Sequence, residues 1–586
     1  MISPKQRIHN HLALLYGEDS APIIESALWD RINAFNQRYS TPPVEKDADS
    51  SRFSEKDALL ITYGNQFQQP GQTPLQTLAS FLEHNLREAF NGVHILPFFP
   101  FTSDDGFSVV DYREVNPQFG SWEDIAQIGC GFRLMFDAVI NHISSQSAWY
   151  QSYLRQEPPF DQYFIEVDPN EDLSKVFRPR ALPLLTRAET SNGTRFVWST
   201  FSEDQLDLNY ANPKVMLEIL DLLLFYVERG ASLIRLDAIA YLWKEIGTSC
   251  IHLPKTHEAV KLMRAVLDAA SPQTLIITET NVPHKENISY FGQAIAGSHR
   301  SDEAQLVYQF PLAPLLLHTF RVGDASILRD WAASLQPPYP STTFFNFTAS
   351  HDGIGVMPAR GLIDKDDLEA LVQQTIHHGG QVSYKSNEDG SKSVYELNTT
   401  WYDAINPPAQ ADTRLGVSRF LASQTVMLSL AGVPGVYVHS LFGSRNCHTC
   451  VQESGRARSI NRQVFQMADL RALLANPSRT QTQVFRDYCR LLRIRRQQTA
   501  FHPNASQEIL QNLPAQVFGL LRVDAATQGT ILCLVNCSSN EIDLELETLP
   551  DAAGWQDLIG GLVIETGTTP IFLHIDAYQS MWLKAD

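Results

Sequence analysis

No run of about 18 apolar residues occurs in the 586-residue chain, so nothing in it reads as a membrane-spanning helix. The opening stretch MISPKQRIHNHLALLYGEDS lacks the apolar core of a secretion signal, which points to a cytoplasmic protein. Positive charge is scarce. There are 46 Lys and Arg against 65 Asp and Glu, a net charge of −19, which argues against nucleic acid or an anionic membrane as the main partner. An anionic small molecule would have to be drawn in by a local group of arginines. Cysteine is sparse as well. Cys130, Cys250, Cys447, Cys450, Cys489, Cys533 and Cys537 are odd in number and scattered, and read as reduced thiols. Cys447-x-x-Cys450 has no second pair nearby to complete a four-ligand zinc site, so no metal is expected there. No dense carboxylate loop calls for calcium, and nothing calls for a cofactor.

What is present is an ordinary globular composition, 44% hydrophobic and 19% charged, in a chain long enough for several domains. Eight apolar runs read as buried strands: Leu59–Tyr63, Val93–Pro100, Phe132–His142, LIRLDA from Leu233, LIITET from Leu275, Leu306–Leu312, Thr342–Asp352 and Gly432–Val438. Helical patterns alternate with them, such as NPKVMLEILDLLLFYVERG, with Pro213 at its start and Gly230 at its stop. Near-continuous apolar strands alternating with helices indicate a parallel sheet covered on both faces, and eight such units indicate an α/β fold of the (β/α)8 barrel type. The expected boundaries are an N-terminal helical extension over 1–56, a catalytic barrel over 57–503 and a C-terminal antiparallel β domain over 504–586. The stretch 143–212 is too long for a simple connection and reads as an inserted subdomain after the third strand. A smaller variable loop region covers 360–410.

Polar residues collect where these strands should end: Asp137, Asn141 and His142; Arg235 and Asp237; Glu279; His351 and Asp352. Arg235 and Asp237 stand at i and i+2 and emerge on the same side of their strand. Such a pair is either a structural ion pair or a carboxylate kept ionised as a nucleophile. Barrel active sites lie at the C-terminal face of the strands, so these residues predict one pocket. Two carboxyls about 5–5.5 Å apart are the equipment of a retaining glycoside mechanism. In that mechanism Glu279 should titrate high and Asp237 low, because one donates a proton and the other attacks.

DAVINH, RLDA, ITET and ASHD stand in this order at strand ends and resemble the four signature regions of the α-amylase superfamily, glycoside hydrolase family 13. The resemblance covers the chain from residue 57 onward. It implies that Asp237 is the nucleophile, Glu279 the general acid/base and Asp352 the transition-state stabiliser. His142 and His351 would bond sugar hydroxyls, and Arg235 would orient the nucleophile.

SDDGFSVVDYREVNPQFGSWEDI, from Ser103, is similar to the sucrose phosphorylase subfamily. By that likeness Asp104 and Phe107 belong to the glucose site, and Gln205, Tyr241 and Arg458 match further sugar-binding positions. RPRALPLLT resembles the subfamily's loop of phosphate and acceptor contacts, which implies that role for Arg178 and Arg180, Arg180 being the matching position, with Arg445 and Arg456 as further candidates. Tyr384, Lys385 and Lys392 lie in the loop Gly379–Tyr395, where the subfamily varies its acceptor contacts. Several segments (TSCIHLPKTHEAVKLMR, ITETNVPHKENI and GSRN) resemble phosphorylases of glucosylglycerate more than those of sucrose. That aglycone carries a carboxylate, and His284 and Lys285 are possible basic suppliers. The expected activity is conversion of an α-glucoside and phosphate to α-glucose 1-phosphate and free aglycone. Glucosylglycerate is the favoured donor, with sucrose, sucrose 6-phosphate and glucosylglycerol as alternatives, and hydrolysis or transglucosylation as another class. The sequence leaves the oligomeric state open, a homodimer being compatible with it.

Overall fold

The computed structural model describes every residue except Met1, residues 40–51, 181, 387–390, 547–551, 553 and 566–569. Its centre is a closed barrel of eight parallel strands: β1 (Leu59–Thr62), β2 (Gly92–Ile95), β3 (Arg133–Ala138), β4 (Ala231–Leu236), β5 (Leu275–Thr278), β6 (Leu306–Tyr308), β7 (Thr343–Asn346) and β8 (Val433–Tyr437). They pair in sequence order, and β8 closes against β1, Leu59 opposite Gly435. Six of the eight fall inside the apolar runs read from the sequence; β2 begins one residue before its run, at Gly92, and β4 two residues before, at Ala231. Apart from β4, each is shorter than its run, because the remainder of the run turns over the barrel mouth.

Two helices, α1 (Pro4–Tyr16) and α2 (Ala21–Arg38), precede the barrel. Their apolar stripes (Ile8, Leu12 and Leu15 on α1; Ile24, Leu28 and Ile32 on α2) are buried against the outer helices α3 (Pro213–Glu228) and α4 (Pro254–Ala270). Arg7 of α1 is held 2.6 Å from Asp268 of α4. α3 begins as the sequence indicates: Asn212 accepts the Lys214 N–H, Pro213 occupies the first turn, and Gly230, at φ +99°, ends it.

Between β3 and α3 the chain makes a small lobe containing a hairpin, Leu185–Thr190 against Gly193–Trp198, and a short helix, Ala148–Leu154. Strand Gln205–Asp207 returns to pair with His142–Ser144, so the end of this lobe is stitched to the barrel mouth. The segment Gly379–Tyr395, expected as a loop, is instead built on a hairpin of Gln381–Ser386 and Lys392–Asn398. After residue 504 the chain forms a six-stranded sheet and a two-stranded one, both antiparallel. Phe518, Leu520, Ile531, Val535 and Trp582 of that larger sheet join the same continuous apolar core as the barrel.

Candidate active site

The strand register sets the pocket. Asp237 follows β4 and Glu279 follows β5. The Asp237 N–H donates to Ala138 O of β3 (3.2 Å) and the Glu279 N–H to Leu236 O of β4 (3.2 Å), so each carboxylate sits one step beyond its neighbour's strand end. Ala238 turns the chain at φ +48°, and its N–H donates to Glu279 Oε2 at 3.1 Å. Asp352 comes from beyond β7.

One pocket is lined by Asp104, Phe107, His142, Arg180, Gln205, Asp237, Tyr241, Glu279, His351, Asp352 and Arg458, eleven of the residues predicted from sequence. Arg235 lies behind it, 2% exposed. Its Nη1 donates to both Asp137 and Asp237, the latter at 2.8 Å, and its Nη2 is 3.9 Å from Glu279. His94 completes this layer, 2.6 Å from the other oxygen of Asp137. Although burial works against it, Arg235 and then His94 hold the Asp137 carboxyl at about 2.

The expected division between Asp237 and Glu279 needs correction. Burial pushes Asp237 up to about 8 against the pull of Arg235, with Glu279 adding to the rise. Burial also raises Glu279, again against Arg235, with Asp352 adding to it. The reason is that Arg235 is shared: Asp137 claims the same Nη1, so one guanidinium serves three carboxylates. Two raised carboxyls facing one cation together retain a proton near neutral pH. Arg235 stands closer to Asp237, which favours the proton on Glu279.

Asp352 differs from both. Despite burial, Arg458 at 2.7 Å, with Arg462 behind it, holds it well below the usual carboxylate range. The Arg458 fork also binds Glu396, at 3.0 and 2.5 Å. Asp104 is likewise kept low by Arg180 (3.2 Å), Arg458 and Arg462, against burial. Burial lowers His351 to about 3, so the ring is neutral, and it lies flat on Phe107 at 4.8 Å. Gln205 Nε2 donates to the Phe107 carbonyl at 3.1 Å. Asp104, Asp105 and Gly106 all have positive φ, and a Cβ at Gly106 would meet Pro97 O at 2.7 Å. The turn that presents Asp104 and Phe107 therefore requires a glycine there.

Other predicted residues lie outside the pocket. Arg178 is exposed and donates to Leu182 O on its own loop. Tyr384 is exposed at the pocket mouth, with Arg456 beside it. Lys385 is buried, its Nζ 4.9 Å over the Phe177 ring. Arg445 is held by Asp403 and Asp412, Lys285 and Lys392 are exposed, and the His284 ring lies 6.3 Å from that of Phe344. Cys447 and Cys450, expected as thiols, instead form a disulfide, because positions three apart in one turn bring their Cα atoms to 5.3 Å.

Sequence reading missed Phe201, Asn281, Tyr395 and Glu396 among the lining residues. Tyr395 and Glu396 come from the hairpin read as a loop; the alternation in SVYEL was the available signal. It also missed Lys244, whose buried ammonium contacts Asp207, Asn141 Oδ1 (2.8 Å) and Tyr241 O (2.5 Å). Together these groups can supply an attacking carboxylate, a protonated carboxyl, a third fixed negative charge and arginine donors for an anion.

Residues 84–393 match the family description Alpha-amylase: Alpha amylase, catalytic domain. The chain is 53% identical over 507 residues to a glucosylglycerate phosphorylase of Allomeiothermus silvanus, covering 86% of this chain and 88% of that one. It is 45% identical over 590 residues to a glucosylglycerate phosphorylase of Spirochaeta thermophila, covering 99% of each. Among solved structures, the sucrose 6F-phosphate phosphorylase of Thermoanaerobacter thermosaccharolyticum superposes with a TM-score of 0.71 at 24% identity, over 87% of this chain and 98% of that one.

Proposed function

The chain belongs to the α-amylase family, glycoside hydrolase family 13, and on that basis we propose that it is a retaining phosphorylase of 2-O-α-D-glucosylglycerate. The observation that carries the reading is a pocket where Asp237, Glu279 and Asp352 meet Arg180 and Arg458, in a chain 45% identical end to end to a glucosylglycerate phosphorylase.

In the first displacement the Asp237 carboxylate attacks the anomeric carbon. The bond to the aglycone oxygen breaks, and that oxygen takes the proton of Glu279, releasing free glycerate. Asp352, pinned by Arg458, stabilises the oxocarbenium-like charge. In the second displacement a phosphate oxygen attacks the β-glucosyl ester of Asp237. Glu279, now ionised, accepts the phosphate proton, and α-glucose 1-phosphate leaves with Asp237 regenerated. Phe107 offers an apolar face to the sugar ring; Asp104, His142, Gln205 and His351 bond its hydroxyls, and Tyr241 packs beside it. Arg180 is the phosphate contact, because a guanidinium fork binds two phosphate oxygens at once. Arg178, Tyr384 and Lys385 stand outside the first layer of contacts, so their influence on the acceptor is through the loops that carry them.

The test is phosphate-dependent release of glucose 1-phosphate from glucosylglycerate, sucrose, sucrose 6-phosphate and glucosylglycerol. The greatest kcat/KM is expected for glucosylglycerate. A preference for another donor would move the substrate and leave the mechanism. Glucose release independent of phosphate would place the chain with hydrolases and transglucosidases.

A further inference from the structure

The C-x-x-C pair lies beside the pocket rather than in it. Cys447 is buried and Cys450 half-buried. They close the first turn of the short helix His448–Ser454, which is tied at both ends to the turn Ala457–Asn461. The Cys447 N–H donates to Ile460 O at 2.8 Å, and Ser454 Oγ to Ser459 Oγ at 2.7 Å. That second turn carries Arg458, the cation on Asp352 and Glu396. Arg462 follows it, donating to Asp105 (2.5 Å) and to His351 O (2.8 Å). A separate cavity of about 590 Å³ is lined by both cysteines, Tyr63, Asp105, Glu453 and Arg462. Both cysteines therefore border a space large enough for a small reagent, with Arg462 on its wall. The remaining cysteines do not compete: Cys250, Cys489, Cys533 and Cys537 are buried, and Cys130 stands alone on the surface.

We propose that Cys447–Cys450 is a reversible redox site for small dithiols and disulfides, and that its state sets how firmly the 457–462 segment holds Arg458 on Asp352. A thiolate of the incoming dithiol attacks Cys450 Sγ, forming a mixed disulfide and expelling Cys447 as a thiolate. The second thiolate of the reagent then attacks its own sulfur in the mixed disulfide, releasing Cys450 and leaving as a cyclic disulfide. Two electrons and two protons pass to the pair; a small disulfide reverses the step. With the disulfide closed, the helix start is fixed and the bond from Cys447 N to Ile460 O anchors the arginine segment. With it open, that anchor rests on hydrogen bonds alone. Neither cysteine lines the active-site pocket, so the effect reaches it only through Arg458 and is graded.

The experiment uses the full chain, equilibrated with reduced or oxidised dithiothreitol, then denatured, alkylated and weighed. Two more alkylated cysteines are expected after reduction, both in the peptide bearing 447 and 450. Amide exchange across 456–462 should speed up on reduction, and phosphorolysis should fall about threefold to tenfold, within the span by which a change in a connected network shifts a distant site. A Cys447→Ser, Cys450→Ser double variant should hold the reduced rate and ignore the reagent. Reduction of the pair with no change in exchange overturns the coupling, and failure of the count to change by two overturns the redox site. The rate measurement rests on the phosphorylase reading; the thiol count and the exchange do not, so absence of phosphorolysis would sink that reading alone.

Discussion

Arg235 faces three carboxylates from 2% exposure, and the division of its charge decides which of them keeps a proton. Glu279 is raised, so it stays protonated above the ordinary carboxylate range. A general acid works only in its protonated form, so kcat/KM should fall as pH climbs through the raised value. Glu279→Gln should remove that alkaline limb and slow phosphorolysis by about 10²–10⁴-fold, the usual worth of a positioned acid. A variant keeping the limb would move the role to another group. Asp237→Asn should lower kcat by about 10⁴-fold, with the fold intact by circular dichroism. At this scale the sequence was legible for carboxylates just beyond strand ends: alternation pairs Asp237 with Arg235, and the motifs ITET and ASHD mark Glu279 and Asp352. It was not legible for charge, because Arg235 is shared with Asp137 and burial outweighs it at Asp237. Composition and spacing did not separate Arg180 from Arg178; the family resemblance alone singled out Arg180, and the fold turns that guanidinium to Asp104 and the other outward.

Among elements, the turn 104–106 and the Lys244 contact do the positioning. Gly106→Ala would set a Cβ 2.7 Å from Pro97 O at φ +114°, a strain of about 1–3 kcal/mol that the turn would relieve by displacing Asp104 and Phe107. KM for the glucoside should rise more than the thermal midpoint falls; an unchanged KM would mean the turn does not position these two side chains. Lys244→Met would leave Asp207 buried without its counter-charge, costing about 3–5 kcal/mol. A clear drop in the thermal midpoint is expected, and Lys244→Met with Asp207→Asn should recover part of it. The eight strands were readable because each is a continuous apolar run. The hairpin at 381–398 was not, because its few apolar residues, Val382, Tyr384, Val394 and Tyr395, stand among Gly, Ser, Lys and Asn, and its strands gain order from pairing with each other and with Ile354–Gly355.

Across the whole molecule, the boundary at 504 is a change of pattern but not of core. Trp582 Nε1 donates to Ser429 Oγ (2.8 Å), Arg522 donates to Ser429 O (2.8 Å), and Phe518, Leu520 and Val535 pack in the barrel's own apolar cluster. Truncation after residue 503 should therefore give an insoluble or unfolded product rather than a smaller active enzyme. A monodisperse, active 1–503 chain would show the two parts to be separable. Sequence could mark where the alternation begins, but not that both sides fill one interior, since contact between distant segments leaves no local pattern. The Lys244 ammonium has a consequence at this scale too. It meets Asp207, Asn141 and Tyr241 as a cation bound by the chain itself, with no dissociation constant and no dependence on supply. Burial lowers the pKa of that ammonium and Asp207 pulls it back up, so the charge depends on pH but needs no supply of an ion from solution. Dilution and chelating buffers should leave the mouth of the barrel, and the rate, as they were.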